Sequence, residues 1–236
     1  MTPLQRSAFL AHARLPAFSR QVLRAERIVR DGLAATTAPY VACSFGKDSA
    51  VMLHLVMQQY PSVPVRFVRW PETGLLNDFE PVLAAWESRF GLVAGQNLHF
   101  CDLSRPSIEV VVPGRHRAVA ALAPTDGYFI GLRAEESKGR RMALKKFGPV
   151  HHAASGLWRI APLDWWRWQD VAAYTALHEL PVLASYGSTG LEGRTATRVG
   201  IPEHGIRQSQ LSELRLRDPD AYNRLCSLLL EVLECL

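Results

Sequence analysis

Ser44-Phe45-Gly46-Lys47-Asp48-Ser49 gathers two hydroxyls, a glycine, an amine and a carboxylate within six residues. The apolar run Val41-Ala42-Cys43 leads into it, and an amphipathic stretch follows at once. A strand that breaks and re-enters as a helix leaves amide N–H groups unpaired at the positive end of the helix dipole, which suits an anion. Gly46 lets the backbone approach a ligand, and Lys47 adds a full positive charge. Ser44 and Ser49 offer hydroxyls, while Asp48 can cap the helix or hold a metal ion. The chemistry this spacing predicts is a phosphate cradle.

The cradle lacks the earlier glycine of a Walker-type loop and the three spaced glycines of a dinucleotide fingerprint. It resembles the S-x-G-K-D-S signature of the PP-loop (N-type) ATP pyrophosphatases. Within that group, SFGKDSAVMLHL is most similar to the phosphoadenosine phosphosulfate (PAPS) reductase family, which includes the small subunit of ATP sulfurylase. Three later segments resemble the same family. Pro71-Glu72-Thr73-Gly74 stands where its members carry Asp-Thr-Gly after the second strand, with Glu72 in place of the acid; alone it reads as a plain turn. Gly131-Leu132-Arg133-Ala134-Glu135-Glu136-Ser137, followed by Arg140, is similar to G-x-R-x-x-E-S-x-x-R. Arginine suits a phosphate or sulfate because its planar fork pairs with two oxygens and keeps its charge. Ala161-Pro162-Leu163-Asp164-Trp165-Trp166, leading to Asp170-Val171 and Tyr174, is similar to P-L-x-x-W-x-x-x-D-V-x-x-Y. There Asp170 reads as the start of a helix more readily than as a catalytic group.

The resemblance implies an adenine-nucleotide site. Ser44, Phe45, Gly46, Lys47, Ser49, Thr73, Gly74, Arg133 and Arg140 would contact the nucleotide or its phosphates; apart from the resemblance, Arg194 and Arg198 in a basic loop read either as a lid closing over bound phosphates or as contacts to a nucleic acid backbone. Lys47, Asp48 and Arg133 would be catalytic, and Asp48 the candidate Mg²⁺ ligand. The implied reaction is cleavage of ATP between its α- and β-phosphates, giving an adenylate and pyrophosphate in sulfur metabolism or nucleic acid sulfur modification. PAPS is the alternative ligand. True PAPS reductases commonly lack the Lys-Asp of the loop and use a cysteine in a C-terminal Glu-Cys-Gly-x-His motif. This chain ends Glu234-Cys235-Leu236, so a reductase using Cys235 is the alternative activity, and a non-catalytic nucleotide-binding subunit a third.

Elements that position these residues are legible in outline. Helix is expected over 14–31, 49–60, 78–90 and 167–179, with Asp78 as N-cap and Gly91 just past the end of the third. Strands are expected over 39–44, 63–70, 98–103, 128–132 and 157–163. Asp218-Pro219 reads as the opening of a last helix to Leu236. Strands alternating with helices predict an α/β fold: a Rossmann-like parallel sheet with helices on both faces, adenine nucleotide alpha-hydrolase-like by the resemblance. Its ligand belongs beyond the carboxyl ends of the strands. The expected organisation is an N-terminal helical segment (1–35), a nucleotide-binding α/β domain (36–184), and a basic loop with C-terminal helices (185–236).

The 236 residues are 48% hydrophobic, with a mean hydropathy near zero, which excludes a disordered chain. No apolar stretch is long enough to span a bilayer, and no secretion-type segment opens the sequence. Cys43, Cys101, Cys226 and Cys235 are widely spaced, so neither disulfides, zinc nor an iron–sulfur cluster is expected, and the expected setting is the cytoplasm. Net charge is +5. Basic stretches at 1–30, 133–146 and 194–217 read either as solvated faces or as surfaces for polyphosphate or nucleic acid. A nucleic acid or protein partner and an oligomer are therefore open expectations. His151-His152 lacks partner ligands at metal spacing and receives no role.

Overall fold

The computed structural model describes residues 1–69, 79–102, 124–184 and 219–228, together with Val119, Tyr186, Gly190, Leu191, Ser212, Arg215 and Leu216. Thr73, Gly74, Arg194, Arg198 and Cys235 lie outside these residues, as do the Asp78 and Asp218 caps.

Six strands form one sheet: β1 (Pro39–Ala42), β2 (Val65–Arg69), β3 (Leu98–Asp102), β4 (Gly127–Ile130), β5 (Val150–His152) and β6 (Trp158–Ile160). Their order is β3-β2-β1-β4-β6-β5, parallel except for the antiparallel edge pair β5–β6. From β1 the chain proceeds outward to β2 and β3, then returns to place β4 on the other flank of β1. The connections leaving β1 and β4 therefore diverge, and a crevice opens between them at their carboxyl ends.

The described α-helices are α1 (Pro3–Ala13), α2 (Pro16–Ala35), α3 (Lys47–Met57), α4 (Glu80–Phe90), α5 (Lys138–Phe147), α6 (Trp168–Leu177) and α7 (Pro219–Leu228), and a 3-10 turn spans Ala134–Glu136. α2 buries Phe18, Ala25, Ile28, Val29 and Gly32 at helical spacing, so its stripe packs into the same core as the sheet. Gly32 is required there, because a Cβ would stand 2.8 Å from Ile160. α3 is buried from Ser49 to Met57, between the sheet and the α2 and α6 layer. α5 lies on the opposite face and buries Leu144 near Ala134 and Ala161.

Several expectations shift. The N-terminal helix is two helices, because Pro16 cannot continue α1; Thr2 and Gln5 form a reciprocal cap at its start. α3 starts at Lys47, two residues early, and β1 stops at Ala42. Gly91 ends α4 in the left-handed conformation (φ 67°), as expected of a glycine just past a helix. β5 and α5 were not anticipated as elements, and β5 makes the sheet mixed rather than wholly parallel.

Candidate functional site

Cys43 to Gly46 turns from β1 into α3 at the crevice. Phe45 takes φ +53°, a left-handed conformation that costs a bulky residue ~1–3 kcal/mol. Its ring is fully buried, edge-on to Phe67 (5.2 Å between centroids) and near Trp86 (6.4 Å), and that packing offsets the strain. The twist leaves Ser44 exposed and makes Gly46, which has no side chain of its own to cap with, the N-cap of α3. First-turn amides of such a helix have no partner within it.

Hydroxyls tie the turn together. Ser49 Oγ accepts from the Ser44 amide (3.3 Å), lies 3.3 Å from Ser44 Oγ, and donates to the Gly46 carbonyl (3.0 Å). Gly131, just after β4, presses on this first turn: a Cβ there would stand 3.0 Å from Asp48 C and O and Ser49 N, all backbone atoms. Glycine thus lets β4 deliver Leu132 and Arg133 against the loop.

The charged groups are buried and mutually paired. Lys47 is 3% exposed and Arg133 5% exposed. Asp48 holds both, with Oδ2 3.1 Å from Lys47 Nζ and Oδ1 accepting from Arg133 Nε at 2.6 Å. Arg133 Nη1 donates to Glu135 Oε2 at 2.5 Å, and the same oxygen accepts from the Trp168 amide at the start of α6 (2.8 Å). Glu136 accepts from the Arg133 amide (2.9 Å) and pairs with Arg140. Burial works against the Arg133 charge, but Asp48, Glu135 and Glu136 more than compensate and raise its pKa. Burial likewise opposes the Glu136 charge, and its bonds from Arg133 and Arg140 prevail, so its pKa is lowered. Three cations and three carboxylates form one network around the loop.

Sequence reasoning missed Tyr186. Its buried hydroxyl accepts from the Lys47 amide at 3.1 Å and would stand 3.4 Å from a Cβ on Gly46, so it occupies the mouth of the cradle. Lys47 Nζ lies 5.8 Å from the centre of its ring. The contact crosses 139 positions, and no motif around Tyr186 announces it.

Of the expected residues, the structure brings Ser44, Phe45, Gly46, Lys47, Asp48, Ser49 and Arg133 together, with Arg140 one ion pair removed through Glu136. The aspartates of the third segment are structural. Asp164, wholly buried, binds Arg24 of α2 through both oxygens (3.1 and 2.5 Å). Asp170 caps α6 through the Arg167 amide (2.8 Å) and meets His12 Nε2 of α1 at 2.7 Å. Cys43 lies beneath the loop, but complete burial pushes its thiol up to about 11, which leaves little thiolate. With both Asp48 oxygens in ion pairs, and no cluster of three His, Cys, Asp or Glu side chains among the described residues, these groups do not fit a protein-held metal ion. Among the described residues no helix is long and apolar enough to cross a membrane.

No family model matches the chain. It is 31% identical over 159 residues to a phosphoadenosine 5'-phosphosulfate reductase of Xanthomonas oryzae pv. oryzae (strain PXO99A), covering 60% of this chain and 63% of that protein. An adenosine 5'-phosphosulfate reductase of Bacillus cereus (strain Q1) is 32% identical over 152 residues, covering 59% and 64%. The chain thus spans less than two thirds of the length of these curated relatives. In fold it is similar to Candida glabrata FMN adenylyltransferase in complex with FMN and the ATP analogue AMPCPP, with a TM-score of 0.52, 14% identity, and coverage of 72% of this chain and 61% of that one. The resemblance that begins at Ser44 therefore extends well beyond the loop: over 60% of its length this chain is similar to PAPS reductases.

Proposed function

We propose that the chain is an adenine-nucleotide enzyme that acts on the phosphate end of its ligand. The observation that carries this reading is the start of α3, whose N-cap Gly46 brings no side chain, framed by Ser44, Ser49 and Gly131 and flanked by Lys47 and Arg133. With ATP, the first-turn amides and the two hydroxyls receive β- and γ-phosphate oxygens. An acceptor attacks the α-phosphorus, the bond to the bridging oxygen breaks, and pyrophosphate leaves. Lys47 and Arg133, oriented by Asp48, balance its charge. Any Mg²⁺ arrives on the triphosphate as part of the substrate.

A second reading has support in the names of the sequence relatives, which are reductases of sulfated adenine nucleotides. In it Cys235 attacks the sulfonate sulfur of PAPS, and the nucleotide leaves. Two assays separate the readings: pyrophosphate release from ATP, and sulfite release from PAPS with a dithiol reductant, each in wild type and Cys235→Ser. The first reading expects pyrophosphate, unaffected by the substitution. Sulfite release that Cys235→Ser abolishes overturns it in favour of the second. Lys47→Ala is expected to weaken binding of either ligand at least ~10-fold, the worth of one charge-assisted hydrogen bond. Unchanged affinity for both would remove the cradle from either account.

A further inference from the structure

Residues 137–163 contain no Asp or Glu, yet carry Lys138, Arg140, Arg141, Lys145, Lys146 and Arg159 besides His151 and His152. In the fold this stretch is one continuous unit, α5 followed by the β5–β6 hairpin at the sheet edge. α5 buries only Leu144, so Lys138, Arg141, Met142, Lys145, Lys146 and Phe147 face outward and are exposed. Arg140 is neutralised by Glu136, but Lys138, Arg141, Lys145, Lys146 and Arg159 make no ion pair among the described residues. Arg141 and Lys145, one turn apart, repel each other. A helix face needed only for solubility is better served by mixed charge.

Rings are interleaved with these charges. Exposed Phe147 stacks on His151, with centroids 5.4 Å apart and planes at 26°, and Lys146 Nζ lies 5.0 Å from the Phe147 centre. His151 stands opposite Arg159 in the β5–β6 register. On the other side of the same hairpin, exposed His152 packs on Trp158 at 3.9 Å. From Lys138 to Lys145 the cations run about 10 Å along the helix axis. A lipid surface calls for a broader apolar face than Met142 and Phe147 provide. An acidic peptide matches the charge but has no use for stacked rings. A polynucleotide strand supplies both regular phosphates and flat bases.

We propose that the α5–β5 face binds a single-stranded polynucleotide, with phosphates on Lys138, Arg141, Lys145, Lys146 and Arg159 and a base on the Phe147–His151 pair. This surface goes beyond the nucleotide cradle and does not depend on it. α5 begins a few residues after Arg133, so a strand lying along it leads toward the cradle.

The test is fluorescence anisotropy of the full chain with labelled 20-nucleotide RNA and DNA single strands of one sequence, and with the DNA duplex, at several salt concentrations. Single strands of either sugar are expected to bind more tightly than duplex. Lys145→Glu with Lys146→Glu should weaken binding at least ~10-fold and lower the salt slope by about 2. Phe147→Ser should weaken it ~5-fold or more with the slope unchanged. Arg20→Glu, on the exposed side of the basic α2 helix, should change nothing, and thermal melts of all variants should match wild type because every altered side chain is exposed. Binding unaltered by the double reversal, a preference for duplex, or equal binding to poly-glutamate or phosphatidylserine vesicles overturns the proposal.

Discussion

Asp48 and Tyr186 both hold Lys47, Asp48 through the side-chain amine and Tyr186 through the backbone amide. Asp48 neutralises two buried cations at once, with its own side chain 17% exposed. Asp48→Asn leaves Lys47 and Arg133 short of a counter-charge, and a loss of about 2 kcal/mol is expected in urea unfolding. Pyrophosphate should restore more stability to this variant than to wild type, since it supplies the missing negative charge; equal restoration would show that the anion does not reach Lys47. Tyr186→Phe removes the acceptor of a buried amide, at a cost of ~1 kcal/mol. A ligand oxygen can take the vacated place, so the rise in melting temperature on adding nucleotide should exceed that of wild type. A smaller rise would mean that the hydroxyl itself assists the ligand. At this scale the loop was legible because its six residues are consecutive, although Asp48, read as a cap or a metal ligand, instead pairs with Lys47 and Arg133 behind the Gly46 N-cap. The ion-pair network was not, since charge type alone does not tell whether Arg133 faces a ligand or Asp48, 85 positions away.

Among the elements, the β4 end and the first turn of α3 meet at Gly131. Gly131→Ala sets a methyl against backbone that has no side chain to swing aside, and a loss of ~1–3 kcal/mol is expected by denaturation, together with weaker nucleotide binding by titration. Gly32→Ala is the contrast. Its methyl meets the Ile160 side chain, away from the loop, so stability should fall while affinity holds. Elements with an apolar signature were readable: α3 is buried almost throughout, and β1 through β4 each bury apolar side chains such as Val41, Phe67, Leu98 and Phe129. α5 was not, because one buried leucine makes no stripe, and β5 was not, because three residues give no alternation to count. Within the expected N-terminal helical segment, α1 was not delimited as a helix of its own although Thr2, Pro3 and Gln5 carry its start, since it buries no residue to mark a period.

For the molecule as a whole, stability is tied to pH through the layer beneath the cradle. His54 of α3 lies 5% exposed among Tyr174, His178 and Phe90, with Nδ1 2.9 Å from the Tyr174 hydroxyl, Nε2 3.4 Å from Gln58 Nε2, and Arg89 nearby. Burial, then the charges of His178 and Arg89, depress its pKa from 6.5 to about 4, and burial depresses that of His178. The folded pKa is the lower one, so the unfolded chain takes up the proton first as pH falls. The contribution is complete above pH ~6.5 and disappears toward pH 4, a loss of about 2 kcal/mol between pH 6.5 and 4.5 for His54. Urea midpoints measured across that range should drop steeply in wild type and less in His54→Gln; parallel curves would assign the acid sensitivity elsewhere.

The left-handed twist at Phe45 gives the loop its shape only while the aromatic pocket of Phe67 and Trp86 grips the ring. The anion recognition proposed for the loop would therefore rest on oily contacts in the interior. Thinning that pocket with a smaller residue, several ångströms from any phosphate, should relax the peptide toward ordinary geometry and turn its neighbouring amides away from their target. Substitutions that look like packing defects would then register as binding defects before the protein unfolds.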